Sequence, residues 1–273
     1  MKKVVKRIGF SWLLLGLLLC GCERTIEIEY NDSVPRYAIE GWLTPFETIV
    51  HVCLTRNMND TINASDISNA IVTITDEDGH VEYIPYDPDA GNGGYYISDY
   101  YGEVGHTYRL DVSVDDNHFS STSKMYDTPH ITSFRLVYRS MMSERYIFGD
   151  VRLKDFPNEI NYYYLHLYRN GIPYRSAVLK DDSNPDGELQ QLFALNRVGS
   201  TDWDVLREGD VLTLQARTID ERSYNYLYAL LQMDNTGTNP PDNFVGGSLG
   251  YFSAFSAVAH SISYDESTIV EGE

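Results

Sequence analysis

Cysteine is scarce in this sequence, which holds Cys20, Cys22 and Cys53 among 273 residues. Two cysteines separated by a single residue rarely reach disulfide geometry without strain. Cys53 lies in the run IVHVCLTR, where a small apolar strand residue is the expected role rather than a nucleophile. A scaffold held by several disulfides is therefore excluded, and packing must stabilise the core.

Basic residues are also few, with 21 lysines and arginines against 40 aspartates and glutamates and a net charge of −19. Four of the cations stand at the start of the chain: Lys2, Lys3, Lys6 and Arg7. Removal of that segment leaves 17 basic residues against 40 acidic ones, a net charge near −23. Such a surface repels polyanions, which argues against nucleic acid and anionic lipid as partners.

The apolar run from Ile8 to Leu19 is shorter than the roughly 20 residues that a transmembrane helix needs. With its basic start, it is typical of a secretory signal peptide. Its exit, Leu-Cys-Gly-Cys22, resembles a bacterial lipobox, in which the cysteine is acylated and becomes the mature N-terminus. We predict a lipoprotein signal peptide over 1–21, lipid attachment at Cys22 and an acidic spacer over 22–35. The alternative is an ordinary secreted protein whose first two cysteines pair.

Catalytic signatures are lacking as well. The seven histidines are scattered, and the sequence has no H-E-x-x-H, C-x-x-C or G-x-S-x-G motif, no P-loop and no G-x-G-x-x-G after a strand. Acidic residues are so frequent that a carboxylate pair chosen by eye carries no information. We therefore predict that the protein is not an enzyme and uses no cofactor.

Short strand patterns fill the range 36–127. The runs YAIEGWLT and IVHVCLTR alternate and are rich in β-branched and aromatic residues, and an Asp-Gly turn joins two further strands. This spacing predicts an Ig-like β-sandwich over 36–127. The order also resembles the Ig-like modules related to the carboxypeptidase regulatory domain, through Gly41 and the runs 70–74 and 105–112. Those modules are scaffolds or binding platforms.

The range 128–262 is predicted to form a second β-rich, sandwich-like domain with one packed α-helix. Strand patterns such as NYYYLHLYRNG precede a helical pattern near 220–234, for which Asp220 is the expected N-cap. Residues 263–273 are predicted to be a flexible acidic tail. The predicted fold class is therefore mainly β, with an N-terminal Ig-like sandwich followed by a second β-rich domain.

Tyrosine is abundant, with 22 residues, and it is clustered. Strand alternation in NYYYLHLYRNG places four rings on one face: Tyr162, Tyr164, His166 and Tyr168. Such rings can bind sugars, peptides or a partner surface at low entropic cost. The alternative is that they pair across strands or pack beneath a neighbouring element. Tyr100 and Tyr101, on a glycine-rich corner, are a second candidate contact.

One acidic loop resembles the start of an EF-hand calcium site, because Asp182, Asn184 and Asp186 alternate before Gly187. The twelfth position holds Phe193 instead of the bidentate glutamate, so the ligand set is incomplete. We predict no metal and keep these three residues as a weak calcium candidate. A solvated turn is the alternative.

Two motifs near opposite ends of the chain belong together in one known family. The first is the strand Ile39–Thr44, which reads IEGWLT. The second is a tyrosine-rich helix followed by Asn-Pro-Pro at 239–241 and by GGSLGYF at 246–252. With the lipobox and the spacer, this order resembles the domain-of-unknown-function 4249 family of Bacteroides-type outer-membrane lipoproteins. The link from the helix to the second motif is short by comparison.

The resemblance implies a protein anchored by lipid in the outer membrane, with exposure at the cell surface left open. It also implies a TonB-dependent receptor as partner, because genes of the family commonly lie beside such receptors. The expected function is that of a non-catalytic accessory or ligand-binding partner in nutrient uptake. A structural or adhesive, fimbria-like lipoprotein and a surface hydrolase remain alternatives.

Overall fold

Strand-forming patterns give the elements of the chain. This computed structural model describes residues 35–55, 65–89, 94–97, 100–156, 160–181, 187–200, 202 and 204–272. The strands of the first half are β1 Tyr37–Leu43, β2 Thr48–Leu54, β3 Ser65–Asp66, β4 Ile71–Thr75, β5 Val81–Ile84, β6 Tyr86–Asp87, β7 Gly94–Ile97, β8 Thr107–Val114 and β9 Asn117–Lys124.

The second half adds further strands and a helix. They are β10 His130–Met141, β11 Glu144–Lys154, β12 Tyr162–Arg169, β13 Ile172–Lys180, β14 Glu188–Arg197, β15 Val211–Ile219, α1 Glu221–Thr236, β16 Leu249–Ala254, β17 Ser256–Ser263 and β18 Val270–Glu271. Within the described ranges, the chain is mainly β and has one α-helix, which confirms the predicted fold class. The same ranges contain no helix of the length and hydrophobicity that a bilayer crossing requires.

The first sandwich packs two sheets face to face. One sheet has the strand order β16-β1-β2-β7-β6, with β3 beside β2, and the other has the order β5-β4-β8-β9. Alternation explains the packing, since every second residue of β8, from Tyr108 to Val114, is buried. Their side chains meet Ile39, Val50 and Phe252 from the opposite sheet. The core of the first sandwich therefore includes a residue from the far end of the chain.

The second sandwich has the sheet orders β14-β11-β10-β18 and β13-β12-β15-β17. Its core lies between these sheets and holds buried residues of β10, β11, β12, β14 and β15, including Phe134, Val151, Leu165 and Leu214. The outer face of the β12–β15 pair lies outside this core, and Gln215 and Arg217 on that face lie opposite residues of the first sandwich.

Helix α1 begins at the predicted cap. The Asp220 carboxylate accepts a hydrogen bond from the Ser223 backbone N–H at 2.9 Å. The helix ends at Gly237, whose φ of 63° allows its N–H to bond to the Met233 carbonyl. One face of α1 packs on β12 and β16, so the helix lies over the junction of the two sandwiches.

Strand β16 runs parallel to β1, although some 200 residues separate them. The register pairs Ile39 with Gly250 and Gly41 with Phe252. The two motifs noted in the sequence are therefore neighbouring strands of one sheet. This corrects the prediction that all of 128–262 forms the second domain, because β16 completes the first sandwich.

Glycine makes this strand pair possible. Gly250 has a φ of 95°, and a Cβ at that position would overlap the carbonyl oxygen of Ile39. A Cβ on Gly41 would lie 2.7 Å from the Leu110 side chain and 3.0 Å from the Phe252 ring. Any larger residue at Gly250 would push β16 away from β1.

A buried polar network joins the same elements. The Ser123 hydroxyl donates to the Asp220 carboxylate and accepts from the Ala254 backbone N–H at 2.8 Å. The Ser223 hydroxyl donates to the same carboxylate at 3.0 Å. These groups come from β9, from the start of α1 and from β16, so the helix and both strands are held in one geometry.

The segment after Ser263 packs on the second sandwich, which corrects the predicted flexible tail over 263–273. Tyr264 is buried in the core of the second sandwich, and its N–H donates to the Asp210 carbonyl at 2.7 Å. A 3-10 helix follows at Glu266–Thr268, and β18 pairs in parallel with β10. Burial of the Tyr264 ring holds this acidic segment against the sheet.

Two carboxyl groups are buried together at one end of the second sandwich. Asp155 and Asp181 are each 4% exposed, and the Tyr163 hydroxyl donates to Asp155 Oδ1 at 2.8 Å. Burial, together with a hydrogen bond to Asp181, raises the pKa of Asp155 to about 6. The Asp155 carboxyl therefore takes up a proton at mildly acidic pH.

The close approach at Gly250 predicts a specific loss of stability. We expect Gly250→Ala to lower the free energy of unfolding by about 3 kcal/mol or more, because the methyl group meets the β1 backbone. Gly247→Ala is the matched control, since Gly247 also has a positive φ but a Cβ added there would have no neighbouring atom within 4 Å. Gly247→Ala should lower the free energy of unfolding by only about 1 kcal/mol. Equal losses in urea unfolding would contradict this account.

The buried carboxyl pair predicts a pH-dependent stability. Because the pKa of Asp155 in the folded protein lies above its ordinary value of 3.8, ionisation disfavours the folded state. The protonated Asp155 carboxyl therefore contributes fully to the free energy of unfolding below about pH 4, and this contribution is lost as the pH rises through about 6. We expect Asp155→Asn to gain stability relative to the wild type across this window, measured by thermal unfolding. Asp89→Asn, which removes an exposed carboxylate, should show no such trend.

Candidate functional site

A cleft of about 360 Å³ lies between the two sandwiches. One wall comes from β1, the β1–β2 loop and β2, and its residues are Trp42, Thr44, Pro45, Phe46, Glu47 and Ile49. The other wall comes from β15, the β16–β17 corner and β17, and its residues are Gln215, Arg217, Phe255, Ala257, Val258 and Ala259. We call this space the junction cleft.

Trp42 is held rigidly on the first wall. Alternation along β1 buries Gly41 and Leu43 in the first sandwich and turns Trp42 to the opposite side. Its indole Nε1–H donates to the Tyr251 hydroxyl at 3.0 Å. The ring of Tyr251 in turn stacks on the ring of Tyr226 in α1, with 4.9 Å between the ring centroids. Burial raises the pKa of Tyr251 to about 12. The β1–β16 pair thus fixes one aromatic wall.

Phe46 stands at the mouth of the cleft on a tight turn. The Thr44 hydroxyl accepts hydrogen bonds from the backbone N–H groups of Phe46 and Glu47, at 3.2 and 3.1 Å. The Thr44 N–H also donates to the Glu47 carbonyl at 2.9 Å. This turn presents a phenyl ring that is 80% exposed. An ordered loop that exposes a large apolar ring beside a cleft is suited to ligand contact.

Arg217 is fixed on the second wall by neutral neighbours. Its Nε and Nη2 groups donate to Gln215 Oε1 at 2.9 and 2.7 Å. The guanidinium carbon lies 4.4 Å from the Phe255 ring centroid and 5.4 Å from that of Tyr164. Cation–π contacts and one amide therefore hold the positive charge at the cleft.

The predicted tyrosine face on β12 continues from this wall. Tyr163, Leu165 and Leu167 are fully buried, so the four predicted residues share the outer face. Register places Tyr164 beside Arg217 and His166 beside Gln215. Tyr168 stacks on His166 at 4.3 Å.

The four residues of this face do not share one environment. Tyr162 is covered by α1 and packs 5.0 Å from Tyr224, as the alternative interpretation expected for such a ring. Tyr164, His166 and Tyr168 are half-buried and remain accessible. Burial, and then the charge of Arg217, lower the pKa of His166, so its imidazole is neutral near pH 7.

The second predicted pair lies next to the turn that carries Phe46. The Tyr100 carbonyl accepts from the Thr48 hydroxyl at 3.0 Å, and the Gly102 N–H donates to the Thr44 carbonyl at 2.8 Å. Tyr100 packs against the core of the first sandwich, and burial raises its pKa to about 12. Tyr101 is 55% exposed. Tyr100 is half-buried, and Tyr101 is therefore the more exposed ring of this pair.

Some predicted site residues lie outside the described residues. They are Cys22 with its signal peptide and the calcium candidate Asp182, Asn184 and Asp186. In the ranges that the structure does describe, no three His, Cys, Asp or Glu side chains are grouped as metal ligands would be. Cys53 is half-buried on β2, where burial raises the pKa of its thiol.

Sequence reasoning missed most of the residues that line the junction cleft. Trp42 belongs to the IEGWLT motif, but the motif does not indicate that the Trp42 side chain lines a cleft. Arg217 and Gln215 alternate with the buried residues Leu214 and Ala216, so their outward direction was readable from DVLTLQARTID. The position of Gln215 and Arg217 in the same cleft as Phe46 depends on how the two sandwiches are joined.

Comparison with known proteins agrees with the motif order. No curated protein matches this chain significantly. The family described as Domain of unknown function (DUF4249) matches residues 23–259. The matched range contains β1 and β16, the paired strands that carry the two motifs. The match spans most of the sequence, and the chain therefore belongs to this family.

Proposed function

We propose that this protein is an outer-membrane lipoprotein that binds a ligand without catalysis, as the accessory partner of a TonB-dependent transporter in nutrient uptake. Lipid on Cys22 would anchor it, and the junction cleft would hold the ligand. The partner class rests on the family resemblance, and the binding role rests on the cleft.

The observation that carries the proposal is the composition of the junction cleft. Its volume of about 360 Å³ falls at the lower end of the range for small-molecule sites, which suits one or two rings rather than a folded partner. Trp42, Phe46 and Phe255 supply apolar faces, while Gln215 and Arg217 supply polar groups that orient a ligand. Mostly apolar walls with a few fixed polar groups are typical of binding sites.

Rigidity of the walls supports binding rather than adhesion through a flexible patch. The Trp42 indole is tied to Tyr251, and Arg217 is tied to Gln215. Walls that are ordered before the ligand arrives reduce the entropic cost of binding. A large negative charge would also keep the body of the protein away from an anionic membrane surface.

The anchoring step predicts a clear difference between two cysteines. We expect Cys22→Ala to release the protein from the outer-membrane fraction, since acyl chains anchor by burying methylene groups at about 0.8 kcal/mol each. Cys20→Ala is the matched control and should leave the protein membrane-bound, because that residue leaves with the signal peptide. Membrane fractionation measures where each variant is found, and intact-mass spectrometry measures whether it is acylated. A membrane-bound, acylated Cys22→Ala protein would contradict the proposal.

The transport role predicts a stable complex. We expect a tagged copy, purified from gently solubilised outer membranes, to bring down a TonB-dependent receptor in equal amount. We also expect Phe46→Ala to reduce uptake of that receptor's substrate about tenfold at limiting concentration, the equivalent of about 1.4 kcal/mol of binding. The Phe46 ring is largely exposed, so the fold should be unaffected.

Tyr83→Ala is the control for this experiment, because Tyr83 is an exposed ring on β5, away from the cleft. It should leave uptake unchanged. Purification of the protein alone, or as a ladder of its own oligomers, would contradict the transport role and favour a structural or adhesive one.

A further inference from the structure

Among the described residues, Arg217 has no acidic partner, in contrast to two half-buried arginines of the second sandwich. Arg152 lies 3.0 Å from Glu188, and Arg169 lies 2.5 Å from Asp210. Across the described ranges, no carboxylate oxygen comes within 4 Å of the Arg217 guanidinium. A half-buried guanidinium whose charge no carboxylate offsets carries a desolvation cost, which a bound anion would reduce.

The surroundings of Arg217 leave part of its guanidinium available. Gln215 accepts from Nε and Nη2, and the aromatic rings cover the flat faces. No hydrogen bond from Nη1 is formed within the part of the chain that the structure describes. Arg217 is also the one cation among the described residues that line the junction cleft. The charge is therefore oriented, half-desolvated and uncompensated.

We propose that the ligand of the junction cleft carries a carboxylate, which Arg217 binds, on a ring with an apolar face. This inference rests on the proposed binding function of the cleft. A guanidinium binds a carboxylate through paired N–H groups, and that contact would supply the missing counter-charge. The half-desolvated position makes the pairing stronger than it would be at an open surface.

The other lining residues point to an acidic sugar as the ring. Phe46 and Trp42 offer flat apolar faces on which a pyranose can stack. Glu47, on the wall opposite Arg217, offers a carboxylate that accepts hydrogen bonds from sugar hydroxyls. An acidic peptide would gain less, because Glu47 would repel its second carboxylate.

The test measures binding to the full lipoprotein in detergent by calorimetry. The probes are galacturonate, which carries one carboxylate on one ring, and its neutral analogue galactose. We expect galacturonate to bind at least tenfold more tightly. We expect Arg217→Gln to weaken galacturonate at least tenfold without changing the affinity for galactose, and Arg217→Lys to fall between, because lysine keeps the charge but loses the planar fork.

Arg207→Gln is the matched control. It removes the same charge from an exposed position outside the junction cleft, and the affinity for both sugars should stay at the wild-type level. Circular dichroism of each variant verifies that the fold is intact.

The possible outcomes separate this inference from the proposed function. Equal binding of both sugars, or no effect of Arg217→Gln, would overturn the acidic-ligand inference and leave the cleft as a binding site if Phe46→Ala still weakens both. Tighter binding of an Asp-Glu peptide would overturn the choice of a sugar. Failure of both sugars to bind would overturn the inference, while co-purification with the receptor would still support the transport role.

Discussion

The parallel pairing of β1 with β16 is the contact on which the rest of the structure depends. It brings a strand from near the start of the described chain against one from near its end, and Gly250 allows the backbones to meet at Ile39. Phe252 enters the core of the first sandwich through this pair. Without the pairing, the first sandwich would lack an edge strand and part of its core.

The same pair builds the junction cleft. It places the Trp42 indole against the Tyr251 hydroxyl on one side, and the chain then turns at Phe255 into β17 of the second sandwich. Phe255 thereby covers the guanidinium of Arg217. The two walls come from different sandwiches, so the cleft is as well ordered as the junction that joins them.

Buried polar groups give that junction its geometry. Asp220 caps α1 and also accepts from Ser123 on β9, while Ser223 donates to the Phe252 carbonyl at 3.3 Å. Burial raises the pKa of Asp220, and the hydrogen bonds oppose that shift. Since apolar contacts alone would tolerate several arrangements, these directional bonds select one, and the proposed ligand would meet a preformed site.

The sequence by itself determined the strand-rich fold, the Asp220 cap of the helix and the shared face of Tyr164, His166 and Tyr168, because alternation and capping depend on neighbouring residues. It also revealed two glycine-bearing motifs without showing that they pair. Only the tertiary structure decided that β16 completes the first sandwich, that α1 covers Tyr162 and that Phe46 faces Arg217. Those contacts join residues far apart in the chain, and local patterns carry no information about which distant segments will meet.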